Sequence, residues 1–240
     1  MLHNIIDVWL ANLNVEEKLY KKFYKTLSEE ERKRASRFLK DQDRHYFVVA
    51  RGLLRELSGQ YCRCSASEIK ISYHPLGKPY LLNNTAIQFN LSHAGDKVLF
   101  AFSKQVIGVD LEYKQRKISI EEIAKRFFSK VEYCELMSLP PEQQSDGFFK
   151  VWTCKEAFIK AQGSGIYYGL NQFDVNVNPK KPAALLAVQG DTQAIDKWSI
   201  IELPLPHEDY VAALAVNSKQ FHLQGRIINY DGSHSQDWSL

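Results

Sequence analysis

The apolar positions of this 240-residue chain change period several times. Residues 5 to 10, Ile-Ile-Asp-Val-Trp-Leu, have the character of an extended segment. Ser28 stands three residues before Glu31, the spacing of a capping box, and predicts a helix running to about Lys40. Tyr46, Val49, Ala50, Leu53, Leu54 and Leu57 form the stripe of a second helix, over about 43 to 57, with Gly59 as its stop. Residues 69 to 73 read as a short strand and His74-Pro75-Leu76-Gly77-Lys78-Pro79 as a turn. Phe89 to Leu91, Val98 to Phe102 and Val106 to Glu112 have strand character, and Lys104-Gln105 suits a hairpin turn between the last two.

Ser119 and Glu122 suggest another capping box. Ile120, Ile123, Ala124, Phe127, Phe128 and Val131 follow at helical spacing, and Pro140-Pro141 closes that segment. A third helix is predicted over about 146 to 161, broken by Gly163, Gly165 and Gly169. Phe173 to Val177, Ala184 to Val188, Trp198 to Leu203 and Tyr210 to Val216 read as strands, with one more within Phe221 to Tyr230. Helices followed by strands thus occur twice. This order predicts an α+β protein of two lobes, residues 1–106 and 107–230, with a polar tail over 231–240.

Composition narrows the class. Hydrophobic residues make up 45% and charged residues 25%, enough apolar side chain for a core without disulfides. A net charge of +3 gives no reason to expect a nucleic-acid partner. Arg32, Lys33, Arg34 and Arg37 nonetheless cluster inside a mixed-charge stretch from Lys18 to Lys40, whose plainest reading is a solvated helix face. Cys62, Cys64, Cys134 and Cys154 lack zinc-knuckle spacing and read as free thiols in a reducing compartment. No window has the length of a membrane span and Asp7 interrupts the first apolar segment, so a cytoplasmic protein without membrane contact is expected.

Two stretches carry candidate chemistry. In Gly108-Val109-Asp110-Leu111-Glu112, a strand would send Asp110 and Glu112 to one face, with backbones about 6.6 Å apart. Two carboxylates so placed suit a hard cation such as Mg²⁺, and they equally suit a strand end emerging into solvent. In Trp152-Thr153-Cys154-Lys155-Glu156-Ala157-Phe158-Ile159-Lys160, Phe148, Trp152 and Ile159 share a helix face, and Glu156 lies on or beside it. A carboxylate there needs a cation or hydrogen bonds, and Lys160, one turn on, is the simplest partner. Lys155 points about 100° away and is placed to address a phosphate.

Together these motifs resemble the 4'-phosphopantetheinyl transferases of the surfactin-synthetase-activating class. That family carries a Gly-hydrophobic-Asp-hydrophobic-Glu strand and a Trp-Thr/Ser-x-Lys-Glu helix with Lys four residues after the Glu, matched by Gly108 to Glu112 and Trp152 to Lys160. Lys125-Arg126-Phe127-Phe128-Ser129, Arg37-Phe38, Gly77-Lys78-Pro79 and Asn90-Leu91-Ser92-His93 match other family elements. The matches span roughly 28 to 170, and the overall length is similar to that of the monomeric two-lobed members. Tyr46 and Phe47 depart from the Arg and Thr that some members place near the adenosine end of coenzyme A.

The resemblance implies two similar α+β lobes in a pseudo-dimeric fold. It implies transfer of 4'-phosphopantetheine from coenzyme A to a serine of an acyl or peptidyl carrier protein, releasing adenosine 3',5'-bisphosphate. Asp110, Glu112 and Glu156 would hold Mg²⁺, with Glu156 also the base for the serine hydroxyl and His93 the titrating alternative. Ser92, His93, Lys155 and Lys160 would meet phosphates, and Arg32, Arg34 and Lys78 would surround the nucleotide's outer phosphate. The carrier would dock near the segment from Ser119 to Leu139, steered by Lys125, Arg126 and Lys130, with Phe127, Phe128 and Met137 offering either core or apolar surface.

Overall fold

The computed structural model describes residues 4–163, 169–230 and 236–238, the last three by backbone alone. The N-terminal half contains β1 (Ile5–Asn12), α1 (Glu17–Thr26), α2 (Glu29–Ala35), α3 (Asp41–Cys62), β2 (Ile71–Tyr73), β3 (Pro79–Leu81), β4 (Gln88–Ala94) and β5 (Lys97–Ser103). The second half contains β6 (Ile107–Tyr113), α4 (Ile120–Phe127), α5 (Lys130–Ser138), α6 (Pro141–Gln162), β7 (Phe173–Val175) and β8 (Leu185–Val188). It continues with α7 (Ala194–Lys197), β9 (Ser199–Glu202), β10 (Tyr210–Val216), β11 (His222–Ile228) and β12 (Gln236–Trp238).

Two sheets stack face to face, each with helices on its outer side. One has the order β12-β11-β1-β5-β4, the other β6-β10-β9. Strand alternation explains the layering. Val98, Phe100 and Phe102 of β5 join Phe23, Val49 and Leu53 in a core beneath α1 and α3. Leu99 and Ala101 point the other way, with Ile6, Val8 and Leu10 of β1, into a core shared with Val109, Leu111 and Leu214 of the second sheet. The outer face of that second sheet supplies Ala213 and Ala215 to a third core under α6. Strands buried on both faces need near-continuous apolar runs, as in Val98 to Phe102.

Several sequence expectations change. The capping box at Ser28 forms, but α2 ends at Ala35 instead of near Lys40. Phe38 instead packs its ring 5.3 Å from Phe47 on α3. Gly59 does not stop α3, which continues to Cys62 and ends on left-handed Arg63. A Cβ at Gly59 would stand 2.7 Å from the Cys64 carbonyl oxygen, so the glycine admits the returning chain. Ser119 makes no capping hydrogen bond; the capping box forms at Ser129 and Glu132, dividing the predicted helix into α4 and α5. Pro141 opens α6, because a first-turn proline lacks only a donor the helix could not use.

Lys104-Gln105 joins two sheets and closes no hairpin, since β5 pairs with β1 and β4 while β6 pairs with β10. The most consequential difference lies in β11. It comes from the second half yet pairs in parallel with β1, where the Arg226 guanidinium meets Asp7 at 2.6 Å. Gly165 and most of the expected polar tail lie outside the described residues; β12 pairs with β11.

Candidate active site

Helix α6 can press against β6 because the strand offers almost no side chain at the contact. A Cβ on Gly108 would collide with the Ala157 carbonyl oxygen and the Ala161 amide nitrogen. Ala213 and Ala215 of β10 keep the same face shallow. Trp152, Glu156 and Lys160 are spaced by four along α6 and share one stripe, which this packing carries to Asp110 and Glu112. Val109 and Leu111 enter the core between the sheets, as the alternation predicts.

The carboxylates have distinct environments. Asp110 is buried, and its Oδ1 accepts from Ser92 Oγ at 2.9 Å and Lys160 Nζ at 2.6 Å. Lys160 also donates to Ser92 Oγ at 2.9 Å. Among the described residues, Asp110 Oδ2 is buried without a hydrogen-bond partner. Glu112 accepts from Trp152 Nε1 at 2.8 Å through Oε1 and meets Arg116 at 3.0 Å through Oε2. Trp152 is itself fixed by stacking 6.0 Å from Phe148 and by the edge of Phe127 at 5.7 Å. Among the described residues Glu156 has neither an ion pair nor a side-chain hydrogen bond. Burial, with the Asp110 charge behind it, holds Glu112 and Glu156 above the ordinary value of 4.5, while Lys160 opposes the shift at both.

These groups line a recess of about 660 Å³ that runs into a second of about 960 Å³, the two sharing Leu91, His93, Gly95 and Tyr113. His93 thus stands where they meet. Burial, then the Lys160 charge, lowers its pKa from the ordinary 6.5, with Asp43 opposing. A neutral ring offers an incoming phosphate an N–H donor instead of a full charge.

The structure divides the predicted phosphate contacts. Arg34 lines the second recess, its guanidinium 5.2 Å from the Phe47 ring. Arg51, which no motif singled out, lies 5.8 Å from the same ring; its Nε faces Glu31 at 3.6 Å, its Nη2 donates to the Tyr73 hydroxyl at 3.0 Å, and among the described residues its buried Nη1 has no hydrogen-bond partner. Its one available signal was its place one helical turn after Phe47 on α3. Arg32 does not belong there; it donates to the Lys25 carbonyl at 3.0 Å and stacks over Tyr24.

Lys155 is a correction as well. Its side chain has no exposure and is spent on Glu132 at 2.8 Å and on the Leu170 and Phe173 carbonyls, so it meets no phosphate in this arrangement. Lys78 borders a smaller recess with Asn90, Glu156 and Lys160, but its Nζ donates to the Ile107 and Ala161 carbonyls at 3.1 and 2.6 Å. Those bonds tie the β2–β3 hairpin to the second half of the chain, whatever Lys78 offers a nucleotide. Phe128 is core, and Phe127 and Met137 pack against it. Lys125, Arg126 and Lys130 are exposed beside Val131, an exposed apolar residue.

Two family models match consecutive parts of the chain. The model described as 4'-phosphopantetheinyl transferase, N-terminal, matches residues 14–105, and that of the 4'-phosphopantetheinyl transferase superfamily matches 106–215. The chain is 38% identical over 221 residues to the 4'-phosphopantetheinyl transferase HetI of Nostoc sp., covering 90% of this chain and 89% of that one. The chain belongs to the 4'-phosphopantetheinyl transferases. It is also 37% identical over 157 residues to the Sfp transferase of Bacillus subtilis, across 65% of this chain and 69% of the other. Likeness to the holo-[acyl-carrier-protein] synthase of Thermotoga maritima is slight, with a TM-score of 0.37 at 20% identity over 48% of this chain and 63% of that one. The transferase therefore uses coenzyme A as phosphopantetheine donor and a carrier protein as acceptor, the reaction common to its family.

The side chains of this transferase fit a divalent cation. Among the described residues no three His, Cys, Asp or Glu groups form a ready-made metal cluster. Mg²⁺ does not need one, because it commonly binds through one or two carboxylates plus substrate phosphates and retains water. Among the described residues, Asp110 Oδ2 and the Glu156 carboxylate lack hydrogen-bond partners, and with Glu112 alongside they bring acceptor oxygens to one recess.

Proposed function

We propose that this transferase is of the surfactin-synthetase-activating type and acts as a cytoplasmic monomer. It moves 4'-phosphopantetheine from coenzyme A to a serine hydroxyl of an acyl or peptidyl carrier protein and releases adenosine 3',5'-bisphosphate. The observation that carries this reading is the buried, partnerless Oδ2 of Asp110 beside Glu112 and Glu156 in the cleft between the lobes. The functional division falls between residues 106 and 107, with the carboxylates in the second lobe.

Asp110, Glu112 and Glu156 hold Mg²⁺, which when bound supplies charge withdrawal from the phosphoryl oxygens and steadies the leaving group. Lys160 and Ser92 orient Asp110 and present donors to the diphosphate, and His93 adds an N–H. Arg34 and Arg51 provide cationic charge for the outer phosphate at the far end of the cleft. Glu156 accepts the serine proton from its place on α6 beside the cleft. Positioning and electrostatics are the main demands of phosphoryl transfer. Lys125, Arg126 and Lys130 attract an acidic carrier surface.

Intact mass tests the proposal. Acyl and peptidyl carriers incubated with this chain, coenzyme A and Mg²⁺ gain about 340 Da on the serine, the mass of one transferred arm. No gain on any of several carriers, or an equal gain after the metal is chelated, overturns it.

A further inference from the structure

Arg116 is a cation at the candidate metal site that neither the motifs nor the mechanism above employs. It follows β6 in the turn toward α4, and its guanidinium lies 3.0 Å from Glu112 Oε2 and 5.8 Å from the Phe149 ring. The two oxygens of Glu112 are held very differently. Oε1 is held by Trp152, an indole wedged between Phe148 and Phe127. Oε2 is held by a side chain that is 38% exposed. Lys160, the other cation, is tied to both Asp110 and Ser92.

We propose that Arg116 is a substrate-binding residue that acts as a displaceable counter-charge. Its guanidinium pairs with Glu112 and passes to the coenzyme A diphosphate when that ligand enters with a divalent cation. The inference rests on the proposed cation role of Asp110, Glu112 and Glu156. Among the described residues, three carboxylates face two cations in this recess, Lys160 and Arg116. A divalent ion entering alone must compete with Arg116 for Glu112 and is repelled by its charge. An ion entering with a diphosphate meets less resistance, because the phosphate oxygens offer the guanidinium a charge-assisted fork in place of the carboxylate. Because the side chain is exposed, it can leave Glu112 without opening the core. Arg116 thus opposes the bare ion and favours the ion together with its substrate, a coupling that works in both directions.

Titration calorimetry with Mn²⁺ as probe tests this on the full chain, with circular dichroism to verify folding. Arg116→Gln keeps much of the side-chain stem and removes the charge. It should bind Mn²⁺ about threefold to thirtyfold more tightly than wild type without coenzyme A. At saturating Mn²⁺ it should bind coenzyme A more weakly by a similar factor. Arg116→Lys, which retains the charge, should stay near wild type for Mn²⁺. Asp110→Asn should abolish the Mn²⁺ signal in both backgrounds, which locates it at this recess. Equal or weaker Mn²⁺ binding by Arg116→Gln overturns the proposal. So does unchanged coenzyme A affinity, absence of Mn²⁺ binding in both proteins, or binding that survives Asp110→Asn. The carrier mass assay on wild type is separate: its failure removes the transferase chemistry, whereas these titrations decide Arg116.

Discussion

Lys160 Nζ lies 2.6 Å from Asp110 Oδ1, so the lysine pairs across the helix–strand contact and not with Glu156 one turn back on its own helix. The alternative in which Glu156 merely holds α6 through Lys160 loses its partner. Glu156 remains beside the cleft with its pKa raised chiefly by burial.

Glu156→Gln keeps the size of the side chain and removes its negative charge. Single-turnover transfer should fall by about 10²–10⁴-fold and stay low at saturating Mg²⁺ and carrier, the shortfall of a lost general base. Thermal unfolding should be close to wild type, because no ion pair is broken. Near-wild-type transfer would remove Glu156 from the base role and move the test to His93→Ala.

Arg32 and Arg34 are two residues apart but do different things. Arg34→Ala should weaken coenzyme A about tenfold or more and dephospho-coenzyme A much less, because a charge-assisted fork disappears only where its phosphate is present. Arg32→Ala should leave both ligands within about twofold, as expected of an exposed side chain bonded to a backbone carbonyl. Calorimetry with the two ligands measures the difference, and equal losses for Arg34→Ala would place that arginine away from the outer phosphate.

The Lys155–Glu132 pair is buried, and Glu132 also accepts from the Val175 amide at 2.8 Å and from the Ser129 amide at 2.9 Å. Lys155→Met leaves Glu132 charged and unpaired in the core. A loss of about 3–5 kcal/mol in denaturant unfolding is expected. The fraction that remains folded should bind coenzyme A normally. A large rise in coenzyme A Kd at unchanged stability would restore Lys155 to the phosphate site.

Burial lowers the Lys78 pKa from 10.5 to about 8. Between those values the unfolded chain binds more protons at this residue than the folded chain, so its contribution to stability rises with pH across that window and falls as pH drops through about 8. Lys78→Met should flatten this part of the stability–pH curve, measured by urea unfolding from pH 7 to pH 10. An identical slope in the variant would show that Lys78 keeps its proton throughout.

Local order was legible wherever it depends on neighbours in the chain. The capping box at Ser28, the stripe of α3 and the alternation that sends Val109 and Leu111 inward all appear in residue spacing. So do the three carboxylates, because strand and helix periods place Asp110 with Glu112 and Trp152 with Glu156 before any packing is known.

Partnership was not legible, because it depends on which surfaces meet. Lys155 and Lys160 are both lysines of one helix, yet the packing of α6 on β6 and β7 buries the first against Glu132 and brings the second to Asp110. Arg116 and Arg51 carried no motif and entered the cleft only when β6, α3 and α6 were in place. The return of β11 to β1 crosses more than 200 residues of chain, a pairing no local pattern encodes. The sequence alone therefore determined the elements, the faces of the carboxylates and the family's chemistry. Tertiary structure decided which cations face those carboxylates, because burial and close packing choose partners by position in space and not by distance along the chain.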